Sequence, residues 1–286
     1  MAATPGRWAA MNRLITAEYR KIFTVKLWWA LLIPAAAISL MFTWGGALLG
    51  NLGIFGRGSG ENAAFALPAF AQGINLASVF GLILGATAVT GEIRHKTITT
   101  SFLTGPTRGA VLAAKLFTYS TIGVIYGVVC MLAATLGALL GNNFPDGAEW
   151  FTLAAAGVVA MVMWTLLGVG VGALIGNQVG TVVGLLVYVL VVEPIINVVL
   201  RTNDAAEIPP YLLNTAGSNM TLHLSFELFL AGLPSSRRFE RASDEIREVL
   251  GMTYAPPWWG SGLIFVAYAV ALGLAGWLVA RRRDIT

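Results

Sequence analysis

The polar residues with the most distinctive spacing in this chain lie between two long apolar stretches, in the segment 91–108. Glu92 and Lys96 stand four positions apart, in the order that favours an ion pair along a helix. Gly105-Pro106 is a pair that ends helices. The spacing therefore predicts a short helix with a charged start. This helix could be a solvated anchor at a membrane surface or a docking surface for another protein.

A second candidate is Glu193, the only acidic residue inside a predicted membrane span. An ionisable side chain at membrane depth is by default a functional-site hypothesis, and the following Pro194 frees a backbone carbonyl. A structural carboxylate near the membrane boundary is the alternative. Asn75, Ser78 and Thr87 of the second span either share a transport pathway with Glu193 or form hydrogen bonds between helices.

Motifs for catalysis are missing from the sequence. It has no Gly-x4-Gly-Lys-Ser/Thr phosphate loop and no Gly-x-Ser-x-Gly nucleophile elbow. The two histidines, His95 and His223, lie in different loops, and no cluster of His, Cys and carboxylates has metal-ligand spacing. The single cysteine, Cys130, sits in an apolar stretch and can form no disulfide within the chain. We therefore expect no catalytic residue, metal or cofactor on this chain.

The elements that must position these residues are membrane helices. The chain has 286 residues, of which 57% are hydrophobic and 11% charged, whereas a soluble domain has about 25% charged residues. Six stretches are long enough to cross a bilayer, which needs roughly 20 apolar residues. The prediction is one all-α, polytopic membrane domain over residues 1–286. Its spans are predicted at 27–49, 69–90, 111–140, 151–175, 179–200 and 260–280.

The distribution of basic residues orients this domain. Twelve of the 18 Lys and Arg residues fall on the side of the chain termini and six on the other. The positive-inside rule therefore predicts that both termini are cytoplasmic, in a plasma membrane. The net charge of +4 reports this orientation rather than a nucleic-acid partner.

Two segments outside the spans carry further structure. Residues 7–26 place apolar side chains at three- and four-residue steps with basic residues between them, which predicts an amphipathic helix lying on the inner leaflet. A helix packed on protein is the alternative. The outer segment 201–259 includes an apolar stretch of about 12 residues, Leu222 to Leu233, which is too short to span. We expect partial helices there.

The segment 91–115 resembles the loop after the second span in ABC-2 type permeases, the membrane subunits of bacterial ABC exporters. The sodium- and bacitracin-exporter-like branch is the most similar. The pattern there is Glu-x-Arg-x-x-Thr-Ile, then Pro-x-Arg, then a Lys at the start of span 3. The matching residues here are Glu92, Arg94, Thr97, Ile98, Pro106, Arg108 and Lys115. The order of amphipathic "elbow" helix, six spans and a structured outer segment is similar over the whole chain.

The resemblance implies that residues 91–108 form a coupling helix that docks on a separate cytoplasmic ABC ATPase, which would bind ATP and Mg²⁺. A second copy of the chain or a homologous permease would complete the pathway, in contact with membrane lipids. The residues implied to face the ATPase are Glu92, Arg94, His95, Lys96, Thr97 and Ile98.

The main hypothesis is thus the permease subunit of an ATP-driven exporter for an amphipathic or lipid-like substrate. One rival is an ATP-independent secondary transporter or channel in which Glu193 titrates, which would predict inverted repeats and several intramembrane charges. The other is a membrane scaffold that transports nothing.

Overall fold

The computed structural model describes residues 7–51, 64–95, 107–145, 147–203, 205–231, 247 and 252–282. Within these ranges the chain is helical and contains no strand. Six of the described helices are long and apolar enough to cross a membrane, which confirms the all-α, polytopic fold. We call them spans 1 to 6: Leu27–Gly50, Ala66–Arg94, Arg108–Leu140, Gly147–Ile175, Gln178–Thr202 and Trp258–Arg282.

Spans 2 and 4 form the centre of the molecule. Their most apolar windows are 72% and 61% buried, against 17% for spans 5 and 6. Glycine allows the two helices to approach closely, because a Cβ at Gly85 would overlap the carbonyl oxygen of Thr165 and a Cβ at Gly168 would overlap that of Leu82. Gly85 and Gly168 are therefore packing positions between the two spans.

The N-terminal helix, Arg7–Thr24, ends two residues before the predicted boundary and precedes span 1 after a short turn. Ile22 is buried, whereas Phe23 is 47% exposed and packs edge-on against Trp28. The helix packs mainly on span 3. Its polar contacts with that span are described below.

Span 2 extends further than predicted. Its helix continues to Arg94, so the charged start of the segment 91–108 is the last turn of span 2 rather than the start of a separate helix. At the other end of the segment, Thr107 caps span 3 by accepting a hydrogen bond from Ala110 N at 3.1 Å. Residues 96–106, with Lys96, Thr97 and Ile98, lie outside the described residues.

Span 5 is interrupted near its middle. It starts after a tight turn in which Gly176 has a φ of 73° and Asn177 caps the helix through Gly180 N. A π-helical turn, Tyr188–Val192, then replaces regular α-helix immediately before Glu193 and Pro194. Such π turns are local bulges that often mark sites with a special role.

The segment between spans 5 and 6 contains a longer helix than predicted. The expected short apolar stretch from Leu222 belongs to a helix of 19 residues, Leu213–Ala231, which we call the loop helix. It follows a 3-10 turn at Pro209–Tyr211 and packs on spans 2, 4 and 6. The start of this helix was not predicted because its first turns are polar. Local helix propensity does not report the tertiary contacts that stabilise the helix. Residues 232–246 and 248–251 are outside the described part of the chain.

Candidate functional site

Four charged side chains meet where the N-terminal helix, the end of span 2 and the start of span 3 converge. We call Glu18, Lys21, Glu92 and Lys115 the ionic cluster. The Lys115 ammonium lies 2.7 Å from Glu18 Oε2 and 2.7 Å from Glu92 Oε1. The Lys21 ammonium lies 2.7 Å from Glu18 Oε1 and 2.7 Å from the same Glu92 oxygen. Each base therefore binds both acids.

Because most of the ionic cluster is buried, each of its charged side chains depends on the others. Lys115 is 4% exposed and Glu18 is 5% exposed, and a buried charge is strongly unfavourable unless it is paired and hydrogen-bonded. Lys115 also donates to the carbonyl oxygen of Ala88 at 3.3 Å, so all three of its donors have acceptors. Two cations and two anions make the cluster neutral as a whole. Loss of any one member leaves an uncompensated charge.

Lys21 stays charged in the cluster. Burial by itself would lower the pKa of Lys21, but the hydrogen bonds from its ammonium to Glu18 and Glu92 outweigh that effect and raise the pKa above its ordinary value. The side chain remains 44% exposed, so Lys21 is the member of the cluster that faces water.

The predicted coupling residues divide into two groups at the end of span 2. Glu92 points into the ionic cluster. Arg94 and His95 are exposed, and Arg94 Nη1 donates to Gln178 Oε1 of span 5 at 3.3 Å. The predicted helical pair of Glu92 with Lys96 involves a residue outside the described ranges. Within them, Glu92 binds bases from two other helices.

Sequence reasoning missed two members of this site, Lys21 and Glu18, and Glu18 is the more buried of them. Glu18 is the only acidic residue among the first 60 in the chain and lies in a strongly basic segment. That isolation was a signal, because a lone acid among bases is a candidate for an internal ion pair. Its partner could not be found from spacing, since Lys115 is 97 positions away.

A cavity of about 400 Å³ adjoins the ionic cluster, between the N-terminal helix and spans 1, 2, 3 and 5. The cluster forms its polar wall, together with His95 and Gln178. Thr87, a predicted pathway residue, also lines it, although its hydroxyl donates to Leu84 O of its own helix at 2.8 Å. The site thus combines charged groups with an apolar wall that includes Ile22 and Trp28.

Glu193 lies away from this site and is fully buried. Its carboxylate accepts hydrogen bonds from Asn214 N at 2.8 Å and from Thr215 N and Thr215 Oγ1 at 2.6 and 2.8 Å. The N-terminus of a helix has unpaired N–H groups and a positive dipole end, both of which favour an anion. Glu193 of span 5 therefore caps the loop helix.

Asn75 joins the same helix from span 2. Its amide donates to Ser218 O at 3.2 Å and accepts from Thr221 Oγ1 at 2.9 Å, while Ser78 Oγ donates to Asn75 O at 2.6 Å. Thr87 is twelve residues further along span 2, roughly 18 Å at 1.5 Å per residue. Of the four predicted pathway residues, Glu193 and Asn75 both contact the loop helix, Ser78 bonds to Asn75, and Thr87 belongs to the cluster cavity.

Comparison with known proteins agrees with this architecture. A search of curated proteins finds no match for the chain. The model of the family described as ABC-2 family transporter protein matches residues 19–283, a range that holds all six spans and three of the four cluster residues. The closer likeness to the bacitracin-exporter branch stays a prediction. The chain belongs to the ABC-2 family of transporter proteins and is a membrane permease component of an ABC transporter.

Proposed function

We propose that this permease is driven by ATP hydrolysis on a separate cytoplasmic ABC ATPase, which docks on residues 91–108 and binds the ATP and Mg²⁺. The observation that carries the proposal is the ionic cluster. It ties the helix end that enters this segment, at Glu92, to span 3 at Lys115 and to the N-terminal helix at Glu18 and Lys21. A displacement of this segment by the ATPase would therefore move span 2, span 3 and the N-terminal helix together.

The surface beside the cluster suits a docking partner. Arg94 and His95 are exposed at the end of span 2, on the side of the membrane where the basic residues concentrate. The Glu92 carboxylate is bound to Lys21 and Lys115, so we assign it to the transmission of movement between the helices. We assign Arg94 and His95 to the contact with the ATPase. Lys96, Thr97 and Ile98 continue the same proposed surface.

The transported substrate is proposed to be amphipathic or lipid-like, and the direction to be export. The cavity beside the cluster joins charged and apolar walls, as a molecule with both characters requires. Two copies of the chain, or one copy with a homologous permease, would form the pathway. Spans 5 and 6 are 17% buried in a single chain, which leaves broad apolar faces for a partner span or lipid. The protein would lie in the plasma membrane with cytoplasmic termini.

The rival proposal, a secondary transporter in which Glu193 titrates, receives less support. The carboxylate is enclosed and accepts three hydrogen bonds from the loop helix. These hydrogen bonds support a structural role as the cap of the loop helix rather than a place in a transport pathway.

Charge reversal at the exposed contact tests the ATPase proposal. The affinity-tagged permease is purified from native membranes in mild detergent, and co-purifying proteins are identified by mass spectrometry. We expect a phosphate-loop ATPase with the wild type and at least tenfold less of it with Arg94→Glu, since a charged residue at the centre of an interface contributes about 2 kcal/mol.

Arg13→Glu is the matched control. Arg13 is an exposed arginine of the N-terminal helix on the same side of the membrane, and we expect its reversal to leave the co-purified amount unchanged. Absence of any ATPase from the wild-type preparation, or an equal amount with Arg94→Glu, would count against docking at this segment.

A further inference from the structure

An apolar groove separates spans 3 and 6. Both spans pack on span 4 rather than on each other, so span 4 forms the floor of the groove. The groove encloses about 530 Å³, a volume within the range of small-ligand sites. Aliphatic side chains, glycine, alanine and Met163 line it, and the indole of Trp277 stands at one end.

The depth of the groove matches one leaflet. Its lining runs from Gly109 to Leu116 on span 3 and from Trp277 back to Val266 on span 6. At 1.5 Å per residue these two segments are roughly 10 and 16 Å long. The hydrocarbon core of a bilayer is about 30 Å thick. The groove therefore occupies the leaflet on the side where span 3 begins and span 6 ends.

Basic residues mark the membrane-surface end of the groove. Arg108 is the first residue of span 3, one position before Gly109, and Arg281 and Arg282 are the last residues of span 6. Arginines at the membrane-surface ends of spans attract anionic lipid headgroups. An apolar groove between helix ends whose sequence carries arginines suits the acyl chain and the charged headgroup of an anionic phospholipid.

We propose that this groove binds an acyl chain of an anionic phospholipid, whose phosphate lies at the end marked by Arg108, Arg281 and Arg282. The bound molecule is a lipid of the surrounding membrane that stays with the protein. The residues that line the groove are not members of the ionic cluster, and the proposed site does not depend on ATP coupling.

Gly273 keeps the groove open. A Cβ at this position would meet no atom within 4 Å, although Gly273 lines the groove. Gly273→Leu therefore places a side chain in the groove without a clash at its first atom. Gly184→Leu is the matched control, because Gly184 of span 5 is also open and lies outside the groove.

Native mass spectrometry of the delipidated, detergent-solubilised protein tests the proposal. Palmitoyl-oleoyl phosphatidylglycerol and the corresponding phosphatidylcholine are titrated separately. We expect wild type and Gly184→Leu to bind one phosphatidylglycerol, at least about fivefold more tightly than phosphatidylcholine, since one basic residue near the membrane surface contributes about that factor. Gly273→Leu should bind phosphatidylglycerol at least tenfold more weakly, since each buried methylene contributes a factor of about four.

Two further variants complete the test. Gly109→Leu, at an open position on the opposite wall, should reproduce the loss and answers the question if Gly273→Leu does not fold. Replacement of Arg108, Arg281 and Arg282 by Gln should remove the preference for phosphatidylglycerol and keep the weaker binding of phosphatidylcholine.

Three results would overturn the proposal: equal affinity of the wild type for both lipids, unchanged lipid binding in both glycine variants, or a shift from dimer to monomer in these variants with lipid stoichiometry unchanged. The last result would identify the groove as a surface between copies of the chain.

Discussion

Lys115 of span 3 and Glu18 of the N-terminal helix lie 2.7 Å apart although 97 positions separate them in the chain, and both are almost fully buried. The pair fixes the N-terminal helix to the membrane domain at the point where Glu92, near the end of span 2, also binds Lys115. The amphipathic helix is therefore packed on protein along this face. Whether its other face contacts the inner leaflet remains a prediction.

The pair should show strong coupling in a double-mutant cycle. We expect Glu18→Gln or Lys115→Met alone to destabilise the protein by about 3–5 kcal/mol, because each leaves an uncompensated buried charge. The double variant should be less destabilised than the sum by about 0.5–3 kcal/mol, since Lys21 and Glu92 still balance each other. Thermal unfolding in detergent measures the series. Additive losses would mean that the two side chains act separately.

Glu92→Gln should separate docking from coupling. The side chain keeps its shape but no longer balances Lys21 and Lys115, and it does not belong to the exposed contact at Arg94 and His95. We expect the ATPase to co-purify in wild-type amounts while ATP-dependent transport in proteoliposomes falls at least tenfold. If Glu92→Gln instead releases the ATPase, Glu92 belongs to the docking surface itself.

The pH dependence of stability should report Lys21. Because the folded-state pKa of Lys21 is raised above 10.5, its contribution is fully present below the unfolded pKa and disappears as the pH rises through the folded one. The melting-temperature difference between wild type and Lys21→Met should therefore be constant at neutral pH and shrink above about pH 10.5. The melting-temperature difference between Lys21→Arg and Lys21→Met should persist above that pH, since arginine does not deprotonate in that range.

Glu193→Gln should lower the stability of the folded protein. The amide would turn an N–H group toward the N–H donors of Asn214 and Thr215, and a buried donor without an acceptor costs about 1–3 kcal/mol. We expect a lower melting temperature, and an unchanged one for Glu207→Gln, an exposed acid in the same segment. An unchanged melting temperature combined with loss of pH-dependent transport would support the rival secondary transporter.

Close packing of spans 2 and 4 should be sensitive to side-chain volume. Gly85→Leu introduces a Cβ that overlaps the Thr165 carbonyl oxygen, and overpacking of this kind costs about 1–3 kcal/mol or more. Gly184→Leu, with open space around it, should leave the melting temperature close to that of the wild type. Equal melting temperatures for the two variants would show that spans 2 and 4 can separate without loss.

The sequence by itself determined the fold class and the positions of the spans. Apolar runs of about 20 residues can satisfy their backbone groups in a bilayer only as helices, so the boundaries of span 1 and span 4 were predicted to within a few residues. The segment around Glu92 was also found from sequence, through its charges and its place after span 2. Local composition carries this information because the membrane imposes the same requirement on every span.

Only the tertiary structure decided what the charged residues do. The sequence placed Glu92 beside Lys96 on a helix, and the structure shows it bound to Lys21 and Lys115. Glu193 was a candidate pathway residue, and its carboxylate caps the loop helix. Glu18 was overlooked. Each partner lies on another helix, and the pairing follows from how the helices pack. Coulomb attraction between buried groups depends on their distance in space, about which spacing along the chain says nothing.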